Sequence, residues 1–563
     1  MTKNNKSALS WIIHSSRPQF INIIFLALVY GLNAFIGVYN TVFARELVDA
    51  AVKGVPGGQL SEVIRYALLY FGITVVQIVT LILARNFVFK IKAKLDISMK
   101  NDLFHAMMMK EYADISTYHS GELMNRLTND IGVVSSAIVS IIPNLVFFIV
   151  KIIGIFYILV RIDLIFALVF VVGGILVFVI ASLFKPVTKR MHKDVQEKEG
   201  KVRSFMQEGL GSLLMIKTFG AQDKMSESAF VLQEDSYLSQ RKRNIYSILT
   251  GTGITALFSF AFVWGLSWGA YQLFYGAISY GVLMQITSLI GQIRTPIQGM
   301  TNIFPTYFNA LASAERIIEI ENLPDEQELN SDIDDKALYG AMESIYFEDI
   351  SFAFDRDIVF DHTSLVIGKG DFVAIEGISG IGKSTLMKLL LSVYQPLEGR
   401  IYIHTAERDY AVDKSLRKLF SYVPQGNFLL SGTLRENIAF VAPDASDSDI
   451  MEAARIACAE DFIRELPEGL DTVIAEHGGG LSEGQVQRVA IARAILTGAP
   501  IILLDEATSA LDEDTELKLL HNLRDLKNKT CVIISHKKAA EQICDKVVTI
   551  RDKKIVENQQ SVK

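Results

Sequence analysis

From Phe372 to Thr385 the chain reads Phe372-Val-Ala-Ile-Glu-Gly377-Ile-Ser-Gly-Ile-Gly382-Lys383-Ser384-Thr385. The first five residues form a short apolar run of strand character, and the run that follows, Thr385 to Tyr394, has helical spacing. The glycine-rich turn between them is placed where a phosphate-binding loop has to be, directly after a strand and before a helix. Such a turn lets backbone N–H groups converge on a triphosphate, and the helix N-terminus adds positive potential. Gly377, Ser379, Gly380, Gly382, Lys383, Ser384 and Thr385 are therefore expected to hold a nucleotide, with Lys383 reaching the β- and γ-phosphates and Ser384 a Mg²⁺ ion.

A second stretch fits the same chemistry. Ile501-Ile-Leu-Leu504 is a buried-strand run that ends in Asp505-Glu506. Asp505 is placed to ligate Mg²⁺, and Glu506 to act as general base toward the attacking water. Around these stretches, β-rich runs alternate with helical ones from Met342 onward, the pattern of an α/β domain with a largely parallel sheet.

The rest of the chain is of another kind. Half of its 563 residues are hydrophobic, and the mean hydropathy of +0.30 is high for a water-soluble enzyme of this length. Apolar runs at about residues 20–41, 66–88, 138–160, 164–184, 248–271 and 278–303 each approach the roughly 20 residues that a bilayer span needs. The first is too long for a signal-peptide core. Long connections after the second and fourth runs carry the excess of lysine and arginine that marks a cytoplasmic side, Lys90, Lys92, Lys94 and Lys100 in one, Lys189, Arg190, Lys193 and Lys198 in the other. Their charges recur at helical spacing, so they read as helices projecting from the membrane.

The expected organisation is thus an all-α transmembrane domain (1–321) with long cytoplasmic extensions, an acidic linker (322–341) and a P-loop ATPase domain (342–563), in a multi-pass protein of the cytoplasmic membrane with its N-terminus and ATPase domain inside. A net charge of −7 provides no global basic field for a nucleic-acid partner. The three cysteines, Cys458, Cys531 and Cys544, form no CxxC pair and read as reduced thiols.

Taken with its further motifs, the chain resembles the ATP-binding-cassette exporters in which six spans are fused to one ATPase domain. Leu481-Ser-Glu-Gly-Gln485 is similar to the LSGGQ signature, Tyr422-Val-Pro-Gln425 to the Q-loop, Ser509-Ala-Leu-Asp512 to the D-loop, and Ile534-Ser-His536 to the switch histidine. The resemblance implies a dimer of half-transporters in which the signature of one chain covers ATP held by the other. Ser482, Gly484, Gln485 and Asp512 would then touch nucleotide, Gln425 the Mg²⁺ ion and attacking water, and His536 the γ-phosphate. Phe354 stands where the family has an adenine-stacking tyrosine and keeps the ring face. Glu476 resembles the loop that touches the membrane domain, and 118–130 and 209–224 resemble the segments that couple the two domains.

Glu483 departs from the family glycine. Pointing inward it would repel the partner's triphosphate and suggest a heterodimer with one impaired site; pointing outward it would change little. In the membrane, Lys151 and Arg294 suggest a cavity for cargo with an anionic group, a peptide or amphipathic small molecule, with intramembrane pairing as the alternative. Lipid flipping and an ATP-binding regulatory half of a heterodimer are the competing functions.

Overall fold

The computed structural model describes residues 2–52, 60–326, 328, 333–354, 357–426, 429–475, 478–526, 528–535 and 537–558. The chain divides into two units, one of residues 1–105 and 120–321, the other of 106–119 and 322–563.

The first unit is helical. Its long helices are α1 (Thr2–Ser16), α2 (Phe20–Val52), α3 (Leu60–Met109, whose last residues belong to the second unit), α4 (Ile131–Ile162), α5 (Leu164–Gly211), α6 (Gln222–Phe274) and α7 (Tyr280–Glu321). The membrane-spanning stretches form because a helix satisfies nearly all backbone groups internally, which a bilayer demands, with Pro143, Pro186, Pro296 and Pro305 as interruptions inside α4, α5 and α7. Ile21, Phe71, Leu83 and Phe260 point outward at 60–82% exposure, as side chains that face lipid do. Among the described residues, four helical stretches are long and apolar enough to cross a membrane: 8–52, 60–109, 120–162 and 222–274. The run at 164–184 lies on α5 and the one at 278–303 on α7, where Gln285, Gln292, Arg294 and Gln298 dilute the hydropathy. Side chains hold these helices together: Phe166 of α5 stacks on Trp264 of α6 at 5.3 Å, and Asp49 of α2 accepts from the Gly281 amide (2.8 Å) and Ser279 Oγ (2.7 Å) at the start of α7.

Residues 126–130, part of the segment that resembles a coupling segment, also make buried contacts within this unit. Arg126–Asp130 is a π-helical turn, and Asp130 caps nothing. It is fully buried, accepting from Arg316 Nε (2.9 Å) and Ser313 Oγ (2.9 Å) of α7. Arg126, also buried, joins Glu319 (2.9 Å) and Glu122 (2.7 Å). Buried charge is tolerated when paired in this way.

The second unit is α/β. Strands β1 (Met342–Phe354), β2 (Asp357–Gly368), β4 (Glu398–Thr405) and β5 (Asp409–Ala411) form an antiparallel sheet in the order β2-β1-β4-β5. Strands β3 (Phe372–Glu376), β6 (Phe420–Val423), β9 (Ile501–Asp505), β10 (Thr530–Ile534), β11 (Lys546–Arg551) and β12 (Lys554–Asn558) form a second sheet, ordered β12-β11-β3-β10-β9-β6 and parallel except for β11–β12; β7 (Gly432–Thr433) and β8 (Val473–Ile474) pair separately. All ten residues of β9 and β10 are buried, as expected of strands covered on both faces.

The acidic stretch 322–341 is not wholly a linker. Asp334 caps a helix, Asp335–Ala341, whose Leu338 and Tyr339 are buried and whose Tyr339 hydroxyl meets Thr530 Oγ1 at 3.1 Å. The acidic composition hides this apolar pair. Residues 106–119 likewise belong to this unit: Lys110 bonds Asp325 (2.7 Å) and the Leu323 carbonyl (2.7 Å), and Tyr112 packs on Tyr394 at 6.1 Å.

Candidate nucleotide site

Register places the chemistry. Ile534 of β10 is level with Ile375 of β3 and with Asp505 of β9, and Val423 of β6 is level with Leu504. The phosphate loop, Asp505-Glu506, the Gln425 segment and the residues after Ile534 therefore leave the sheet at one edge, the carboxyl ends of its parallel strands. That edge is where open α/β sheets bind ligands.

The loop feeds helix α8 (Lys383–Leu390) through Gly382, which has φ +113° and where a Cβ would meet Val359 at 2.4 Å. No other residue fits both demands. Lys383 is buried, and its ammonium donates to the carbonyls of Gly377 (2.9 Å) and Ile378 (3.3 Å), 4.0 Å from Glu506. Ser384 Oγ donates to Asp505 Oδ1 at 2.9 Å, and Gln425 Nε2 to Glu506 Oε2 at 2.6 Å. Glu506 itself has φ +49°, a left-handed conformation that costs a non-glycine residue on the order of 1–3 kcal/mol. Its amide donates to the Ile534 carbonyl (3.1 Å) and its carbonyl accepts from Ser509 N (3.2 Å), which hold it there. Lys383, Ser384, Gln425, Asp505 and Glu506 thus form one constellation; Ser379 and Gly380 lie exposed on the loop and Thr385 in the first turn of α8.

Sequence reasoning missed Tyr422. Its hydroxyl donates to Asp505 Oδ2 at 2.9 Å, so the two oxygens of this almost fully buried carboxylate accept from two neutral hydroxyls. Burial pushes the Asp505 carboxyl above its ordinary range, and pushes the Tyr422 phenol up as well. A buried carboxylate supported by hydroxyls alone is suited to a cation. The donors are hard oxygens, and no group of three or more His, Cys, Asp or Glu side chains is clustered for a metal among the described residues. This fits Mg²⁺, which binds through one or two carboxylates and completes its shell with other oxygen donors, phosphate and water. Ser384 and Asp505 would hold it, with the Gln425 carbonyl oxygen, turned away from the Glu506 contact, as a third donor.

The signature residues form a second group. Ser482 caps helix α9 (Glu483–Leu496) in a reciprocal box with Gln485: Ser482 N donates to Gln485 Oε1 (2.9 Å), and Gln485 N to Ser482 Oγ (3.4 Å). A Cβ at Gly484 would approach the Ala510 carbonyl to 2.9 Å, so a glycine is needed where the signature meets the 509–512 turn. Glu483 is exposed at the helix start, where a carboxylate is favoured by the helix dipole. Asp512 caps α10 (Glu513–Arg524) through Thr515 N (3.0 Å) and Thr515 Oγ1 (2.7 Å).

Phe354 stands apart from both groups. Its ring is 43% exposed and meets Phe352 at 4.9 Å and Tyr394 at 5.3 Å, edge-on, leaving it free to stack. His536 and Glu476 lie outside the described residues.

Comparison with known proteins agrees with this geometry. The ABC transporter transmembrane region family matches residues 19–297, and the ABC transporter family matches residues 360–509. Among relatives, the chain is 28% identical over 576 residues to an uncharacterized ABC transporter ATP-binding protein, YfiC, of Bacillus subtilis (strain 168), covering 99% of this chain and 91% of the relative. It is 30% identical over 475 residues to an ATP-dependent lipid A-core flippase of Syntrophus aciditrophicus (strain SB), covering 82% and 76%. The fold is that of a bacterial Atm1-family ABC exporter solved with ATP bound, with a TM-score of 0.78 at 22% identity over 96% of this chain and 95% of the other.

Proposed function

This chain belongs to the ABC transporter family, and from that premise we propose that it is one half of a dimeric exporter of the cytoplasmic membrane, with its N-terminus and ATPase domain inside. Two chains sandwich two ATP molecules. In each sandwich Lys383 and the loop amides hold the triphosphate, Phe354 carries the adenine, and Ser482, Gly484, Gln485 and Asp512 close on it from the partner. Mg²⁺, when bound, neutralises charge on the β- and γ-phosphates. Glu506 takes the proton of the attacking water, Gln425 holds Glu506 in line, and His536 binds the γ-phosphate. Binding closes the ATPase pair and turns the cavity outward; hydrolysis resets it.

The observation that carries this reading is the convergence of Lys383, Ser384, Gln425, Asp505 and Glu506 at one sheet edge, with Glu506 held in a left-handed conformation beside Gln425.

For cargo, we propose an amphipathic molecule with an anionic group, a peptide or small molecule. Lys151 supports this: it lies in the middle of a span, packs over Phe147 at 5.3 Å and meets no carboxylate among the described residues. A cation so placed calls for a partner of opposite charge. Arg294 donates to Thr255 Oγ1 at 3.2 Å and so has a neutral neighbour on α6. A lipid cargo is the second reading, favoured by the identity with a relative named as a lipid A-core flippase. Inside-out vesicles containing the chain should accumulate a fluorescent anionic amphiphile on addition of ATP and lose that uptake in Lys151→Met. ATP-dependent movement of a labelled phospholipid between leaflets, with no uptake of the soluble amphiphile, would favour the lipid reading instead.

A further inference from the structure

The 509–512 turn is held from two sides by chemistry outside the nucleotide constellation. On one side the contact is neutral: Gln487 of the signature helix donates from Nε2 to Ser509 Oγ (2.9 Å) and accepts the Ala510 amide on Oε1 (3.1 Å). On the other it is ionic. Lys537, the residue after His536, donates from its ammonium to the carbonyls of Leu511 (2.6 Å) and Thr508 (2.9 Å). The same ammonium lies 3.4 Å from Oε2 of Glu516, a fully buried carboxylate on α10. Oε1 of Glu516 accepts from Thr508 Oγ1 (2.7 Å) and Ser535 Oγ (3.4 Å).

The chain therefore keeps a carboxylate in its interior where one acid bonds residues on both sides of position 536 and the start of the turn. An ammonium has three donors, and Lys537 points two at the ends of the turn and directs its charge at Glu516. Parting this pair strands the fully buried Glu516 carboxylate in a medium of low polarity, although the Lys537 side chain is itself about a third exposed. The turn and the switch segment must then move together.

We propose that Lys537 and Glu516 are positioning residues that tie the 509–512 turn to the segment carrying His536, so that γ-phosphate contact in one site is passed to the turn that faces the partner's site. This rests on the dimeric reading above. It assigns to this pair the mechanical link between the two sites, and to Gln487 only the seat of the turn on the signature helix.

The test is hydrogen exchange on the full chain in lipid nanodiscs, read on peptides covering 506–516, without nucleotide and with ATP·Mg²⁺ in a Glu506→Gln background. Without nucleotide, Lys537→Met should speed exchange at the amides of 509–511 by about tenfold, and with ATP it should abolish the added protection seen in the parent, while ATP affinity stays within about twofold. Lys537→Arg should restore both. Should Lys537→Met fail to fold, Glu516→Gln, which keeps the shape and the Oε1 acceptor, should speed the same amides by a smaller factor. Parental exchange rates in Lys537→Met or Glu516→Gln, with nucleotide protection intact, overturn the proposal. A parent that does not bind ATP overturns the exporter reading instead, and the nucleotide-free comparison still decides whether the tie exists.

Discussion

Asp130 in the helical unit and Asp505 at the sheet edge are both carboxylates at no more than 1% exposure, yet their surroundings differ in kind. Asp130 accepts from the guanidinium of Arg316, while Asp505 accepts from the hydroxyls of Ser384 and Tyr422. Burial of a charge has to be compensated. Where the compensation is a built-in cation, the group is structural and ties α4 to α7. Where the hydrogen-bond donors are neutral hydroxyls and no cation pairs directly with the acid, the group is suited to a cation brought by a ligand. The contrast separates a buried acid that holds the fold from one proposed above to take Mg²⁺.

Removing each acid should break the comparison in opposite directions. Asp130→Ala leaves Arg316 and Ser313 without their common partner, and thermal unfolding of the solubilised chain should show a loss of about 3 kcal/mol, toward the low end for a buried pair because Arg316 is partly exposed. Equal stability in the variant would mean that the Asp130 cluster contributes nothing. Asp505→Asn should leave the nucleotide-free protein as stable as the parent, while Mg²⁺-dependent ATP binding, followed with a fluorescent analogue, should weaken by at least about a hundredfold. An Asp505→Asn variant that unfolds early and binds Mg²⁺-ATP normally would reverse the assignment.

Tyr422→Phe sharpens the same comparison with a smaller step. It strips one oxygen of Asp505 of its donor, and Mg²⁺-dependent ATP affinity should fall by about tenfold, with binding of metal-free nucleotide unchanged. A uniform loss of both would make Tyr422 a packing residue only. Smallest is Glu483→Gly: with the side chain exposed at a helix start, the ATPase rate should change by less than about threefold, a little above the scale of a first-turn dipole contact. A large rise would place the carboxylate at the partner's triphosphate.

What sequence could and could not show follows from how far apart the interacting residues lie. The family, the fold class and the phosphate loop were legible, because each depends on local order: a strand, a glycine turn and a helix in succession, or an apolar strand ending in two acids. Lys383, Ser384, Gln425, Asp505 and Glu506 do come together at the sheet edge. Tyr422 was not legible as a partner of Asp505, since that contact exists only once β6 pairs in parallel with β9 and sets Tyr422 beside Leu503. The ion pair of Asp130 was not legible because its partner, Arg316, is 186 positions away. The inclusion of 106–119 in the ATPase unit depends on Lys110 reaching the Leu323 carbonyl across 213 positions, and no periodicity signals that.

ATP hydrolysis by this chain purified alone in lipid, beside its Glu506→Gln variant, is the most direct test. Steady Mg²⁺-dependent turnover by a dimer, reduced by about a thousandfold in the variant, is the predicted result. Turnover that survives Glu506→Gln would contradict the assignment of the base, and an assembled dimer that binds ATP without hydrolysing it would contradict the claim that this chain is sufficient to drive export.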